Sequence, residues 1–152
     1  MGLRSFSGKL GKGTALENDA RRTRFGAYFP GAFAYVQHSI GDENAAREIV
    51  AESFTRVFSG RELREEEFRL ALFGTARRLC GAGRAPNTAE ACLTPRERDI
   101  LALMFDAQLS REEVALLLET QEASVTAEFV RALKKLRSGS GSQVIPSFLR
   151  LS

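Results

Sequence analysis

The 152 residues carry 22 Lys/Arg against 19 Asp/Glu, and 43% of them are hydrophobic. That is enough for one ordinary domain or two small ones with normal cores, and it excludes wholesale disorder. No apolar run approaches the ~18–20 residues of a bilayer span. The basic, Gly/Ser-rich start, Met1 to Gly13, lacks the apolar stretch of a signal peptide, so a cytoplasmic protein is expected.

Residues 1–20 read as a loose tail. From Arg21 the pattern turns helical: Phe25, Phe29, Phe33, Val36 and Ile40 recur at steps of three and four. Pro30 falls inside this run and predicts a kink or break. Gly41 ends the run and Asp42 caps the next helix. That helix extends to about residue 58, with Ala46, Ile49, Val50, Phe54, Val57 and Phe58 as its buried stripe and Glu48, Glu52 and Arg56 four apart on another face. A third helix starts in the acidic run Glu65-Glu66-Glu67, where negative charge suits the macrodipole, and ends after Arg77-Arg78. Its core stripe is Phe68, Leu72, Ala76 and Leu79.

These helices make a first module over residues 21–83, and residues 84–92 read as a linker. The second module, residues 93–137, opens on the capping box Thr94-Pro95-Arg96-Glu97, with proline at the first helical position. Ile100, Leu101, Met104 and Phe105 give its apolar face. Ser110-Arg111-Glu112-Glu113 is a second capping box, with Leu109 and Val114 as a hydrophobic staple. After a turn at Glu119 to Gln121, the residues Val125, Phe129, Ala132, Leu133 and Leu136 mark a longer helix. A short helix, a tight turn and a longer helix make a helix-turn-helix. Residues 138–152 read as a tail, Ser/Gly-rich at first and then apolar from Val144 to Leu151. The fold class expected is all-α, in two small helical modules.

Charge is unevenly placed. Residues 1–84 hold 14 Lys/Arg and 10 Asp/Glu, whereas residues 85–152 hold 8 and 9. Cys80 and Cys92 are far from a metal-site spacing and read as two reduced, partly buried thiols. His38 is the sole histidine and lies in a helical run. No phosphate loop, metal cluster or nucleophile motif accompanies it, so no enzyme activity, metal or other cofactor is expected.

Two segments resemble one known family. Ala45-Ala46-Arg47-Glu48-Ile49-Val50-Ala51-Glu52-Ser53-Phe54-Thr55-Arg56-Val57-Phe58, followed by Phe68-Arg69-Leu70-Ala71-Leu72-Phe73-Gly74-Thr75-Ala76-Arg77-Arg78-Leu79, resembles region 2 of the sigma-70 family. The similarity is greatest to the short extracytoplasmic-function type. Leu93-Thr94-Pro95-Arg96-Glu97-Arg98 through Leu136-Arg137 resembles region 4, and the order of the two segments also matches. Together they span about two thirds of the chain. The resemblance implies a three-helix bundle followed by a DNA-reading helix-turn-helix, in a bacterial RNA polymerase sigma factor that directs transcription initiation. It implies contact with the polymerase clamp coiled coil at Glu48, Ile49, Glu52, Phe54 and Arg56. It implies binding of the promoter −10 side at Phe68, Arg69, Phe73, Arg77 and Arg78, aromatics stacking on bases and cations holding phosphates. Phe73, beside the main stripe, is expected to be partly exposed. In the helix-turn-helix the positions implied for the −35 element are Ser124, Thr126, Ala127, Arg131, Lys134 and Lys135. An anti-sigma factor is a further implied partner.

The chain departs from the family pattern in places. Ala71 stands where tryptophan is usual, and the basic extension after Arg78 is cut short. Glu119 replaces the usual turn glycine. Thr126, Ala127 and Glu128 stand where lysine, serine and arginine are common, and Glu122 adds negative charge. A second expectation therefore stands beside the first: a degenerate sigma-like protein that binds an anti-sigma factor or polymerase without normal DNA recognition.

Overall fold

The computed structural model describes residues 15–81 and 90–140, the last two as backbone alone. Among these residues there are six helices and no strand, the all-α class expected. They are α1 (Ala15–Ile40), α2 (Glu43–Ser59), α3 (Glu65–Cys80), α4 (Pro95–Phe105), α5 (Arg111–Leu118) and α6 (Glu122–Ser140).

The helix starts follow local chemistry. Asp42 accepts from the Ala45 amide at 2.9 Å, satisfying a donor that the first turn of α2 leaves over. Both capping boxes close: the Glu97 amide donates to Thr94 Oγ1 at 3.0 Å while the Thr94 amide donates to Glu97 at 2.9 Å. The Ser110 and Glu113 pair does the same at 3.1 and 2.9 Å. Leu109 and Val114, the staple, are both buried. At the start of α3, which the sequence leaves without an evident cap, the Glu67 carboxylate accepts from the Arg64 amide at 3.1 Å.

Three boundaries differ from expectation. Helix α1 begins at Ala15, so residues 15–20 are helical rather than loose. It also runs unbroken through Pro30. Pro30 and the residue four before it, Gly26, are both exposed, so water solvates the carbonyl that loses its partner there. At the other end α6 continues to Ser140, past the expected limit at residue 137. The rest of the expected linker and of both tails, Val144 to Leu151 included, lies outside the described residues.

The two modules share a core. One buried cluster runs from Tyr35, Val50, Phe54, Phe68, Leu72 and Phe73 of the first three helices to Ile100, Leu103, Leu109, Val114 and Val125 of the second three. A smaller cluster, Leu93, Leu101, Ala132 and Leu136, ties α6 to α4. Glycine marks two places where the modules meet. A Cβ on Gly31 would lie 3.5 Å from the Asp106 carbonyl oxygen, and one on Gly74 would lie 3.6 Å from Leu117 Cδ1. Modules of about 60 and 45 residues bury little apolar surface alone, which is the physical reason for them to pack together. Cys80 is half-buried, and burial pushes its thiol up to about 11. Cys92, expected to be partly buried, is exposed.

Two outcomes are expected. Phe73→Ala should destabilise the chain by about 3–5 kcal/mol, and amide exchange in α1–α3 and α4–α6 should accelerate together. Acceleration confined to one module would contradict a shared core. Glu119 holds φ 56° and ψ 51°, the left-handed region. Glu119→Gly should therefore raise stability by about 0.5–1 kcal/mol in urea denaturation.

Candidate functional site

On α2, Glu48, Glu52 and Arg56 are exposed, Ile49 is half-buried and Phe54 is 3% exposed. Phe54 packs among aromatic rings, with centroids 4.7 Å from Phe25, 5.8 Å from Phe58 and 6.3 Å from Phe68. It supports the face from beneath. On that face Arg56 pairs with Glu52 at 2.7 Å, and elsewhere on the helix Arg47 pairs with Glu43 at 2.5 Å. Such exposed pairs are each worth about 0.3–0.5 kcal/mol and exchange readily for a partner's charges.

On α3 the aromatics lie inside. Phe68 and Phe73 are each 1% exposed, so the partial exposure expected of Phe73 is corrected. Phe73 lies one position beyond Leu72, and the second module covers what would have been its open side. The ring of Phe73 meets Tyr35 edge-on at 6.3 Å, and Phe68 lies under the Arg24 guanidinium at 4.9 Å.

The α3 arginines are turned to the seam between modules. Arg69 donates to the Gln108 carbonyl at 3.2 Å and pairs with Glu113 at 3.1 Å. Arg77 pairs with Asp99 through Nε, and the Tyr35 hydroxyl donates to the other Asp99 oxygen at 2.8 Å. Burial and the adjacent Asp99 carboxylate push the Tyr35 phenol far up, so it stays a donor. Arg78 is exposed and bonds Thr75 Oγ1 at 3.3 Å. Asp99, Glu113 and Tyr35 carried no signal of this role in the sequence, because their partners lie 22 to 64 residues away.

A second polar contact crosses the same seam. His38 of α1 is 2.8 Å from the Glu90 carboxylate through Nε2 and 3.7 Å from Asp106 through Nδ1. Burial, opposed by His38 and reinforced by Glu90, pushes the Asp106 carboxyl up to about 6.

The helix-turn-helix is α5, the turn through Glu119, and α6. At the start of α6 the acidic residues meet cations: Arg111 donates to Thr126 Oγ1 at 2.9 Å and lies 3.8 Å from Glu122, and Arg96 of α4 pairs with Glu128 at 3.1 Å. Ser124 and Thr126 are half-buried and Ala127 is exposed. Further along, Lys135 pairs at 2.9 Å and Arg131 at 3.8 Å with Glu97, which is 2% exposed. Burial pushes the Glu97 carboxyl up, but the Thr94 amide and these cations outweigh it and hold it below the usual range. Exposed Lys134 and Arg137 form no ion pair with any described residue. Positive charge thus gathers on the second half of α6, and its first turns are close to neutral.

Comparison with known proteins finds no matching family model, no similar curated protein and no similar solved structure. Among the described residues no helix is long and apolar enough to cross a membrane.

The Asp106 carboxyl gives a pH test. Its folded value lies above its ordinary 3.8. Its contribution is therefore complete below about pH 4 and lost as pH rises through about 6. Asp106→Asn mimics the neutral acid. In urea denaturation the variant should match the parent near pH 4 and exceed it above pH 6, by roughly 1–2 kcal/mol after discounting for solvent screening. A difference that does not vary with pH would contradict this.

Proposed function

We propose that this chain is a sigma-type specificity subunit of bacterial RNA polymerase, of the extracytoplasmic-function type, acting without catalysis of its own. The observation that carries the reading is the helix-turn-helix with the helix before it: both capping boxes, the buried staple, and the exposed cations Arg131, Lys134 and Arg137 on the longest of the three helices. The exposed acidic face of α2, with Glu48 and Glu52, suits a basic and apolar coiled coil on the polymerase. Cations on α6 suit phosphates of promoter DNA, whose neutralisation gives salt-dependent binding.

One observation favours a second reading. Glu122 and Glu128 neutralise the first turns of α6, where base contacts normally originate, and Arg69 and Arg77 are engaged at the seam. That pattern suits a sigma-like protein whose partners are proteins, an anti-sigma factor among them.

Reconstitution with core RNA polymerase on a promoter library separates the two. Initiation above the core-alone background supports the sigma factor and overturns the second reading. Stable capture of an anti-sigma factor without initiation does the reverse. Glu128→Arg should raise DNA affinity about three- to tenfold at low salt and steepen its salt dependence, measured by fluorescence anisotropy. An unchanged affinity would remove this helix from the DNA interface.

A further inference from the structure

A cavity of about 530 Å³ opens at the seam between α1, α3 and α4. Four guanidiniums line it, Arg77 and Arg78 from the first module and Arg96 and Arg98 from the second. Against them stand the carboxylates Asp99 and Glu90, with His38. The negative groups are already committed. Asp99 takes Arg77 and the Tyr35 hydroxyl, and Glu90 lies against His38. Arg96 is matched by Glu128, from outside the cavity. Arg78 and Arg98 remain without a carboxylate among the described residues, and the buried Nε of Arg98 has no acceptor. Four guanidiniums against two carboxylates leave the cavity net positive, and this favours an anion there.

The arrangement selects among anions. Phosphate oxygens are spread tetrahedrally and accept forked guanidinium bonds from several directions, whereas a single carboxylate accepts in one plane. The volume is in the range of small-molecule sites and is too small for a duplex. We propose that this cavity binds a small molecule bearing a diphosphate group, gripped by Arg78 of one module and Arg98 of the other. Because it touches both modules, the ligand holds the seam closed.

The test is isothermal titration of the full chain with inorganic pyrophosphate, and in parallel with ADP, which distinguishes a free from a nucleoside-borne diphosphate. Saturable binding is expected, with a rise of several degrees in thermal midpoint at saturation. Arg98→Lys keeps the charge and loses the fork, and should weaken binding about tenfold with unchanged helicity. Arg78→Gln should also weaken it, whereas Arg22→Gln, at an exposed position on α1, should bind as the parent does. Three results would overturn the proposal: no saturable binding of either probe, affinity equal to the parent's in the Arg78 and Arg98 variants, or the same response to sulfate at matched ionic strength. The test needs neither polymerase nor promoter, so its failure leaves the proposed function standing.

Discussion

Asp99 stands on α4 with both carboxylate oxygens occupied by the other module, one by Tyr35 and one by Arg77. A partly buried carboxylate is tolerated only when it is matched, so this residue ties the second module to a fixed register on the first. Around it the apolar cluster from Tyr35 and Phe73 to Ile100 and Leu103 supplies the bulk of the attraction. The polar contacts decide where on the surface that attraction is satisfied. Arg69 with Glu113, and His38 between Glu90 and Asp106, repeat the arrangement on either side.

What the sequence made legible is local. Asp42, Thr94 with Glu97, and Ser110 with Glu113 act within three residues of themselves, and each helix start follows from them. The apolar stripes of α2 and α3 are likewise set by helical period. Pro30 misled because its effect depends on whether the freed carbonyl meets water, which no period reveals. Phe73 misled for a related reason. Its place relative to Leu72 is local, but the element that covers it arrives from the second module.

The candidate interfaces were legible by face and illegible by engagement. The sequence places Arg69, Arg77, Arg131 and Lys135 on helices, and nothing in it reveals that Glu113, Asp99 and Glu97 meet them. Glu97 illustrates the difficulty. It already serves a capping box, yet the same carboxylate, almost wholly buried, also anchors two cations of α6. Caps and ion pairs draw on the same few oxygens, and only the folded chain shows how they are shared.

Arg69 and Arg77 are each held at the seam, Arg69 by Glu113 and the Gln108 carbonyl, Arg77 by Asp99. Any partner that needs either must take it from Glu113 or Asp99, and so competes with the fold itself. The apparent affinity of such a partner is its intrinsic affinity multiplied by the fraction of molecules already open. Each ~1.4 kcal/mol of seam stability thus costs that partner a factor of about ten. Substitutions that touch neither partner nor its contacts, at Gly31 or Gly74 for instance, would then tune binding from a distance, as a setting of threshold rather than of recognition.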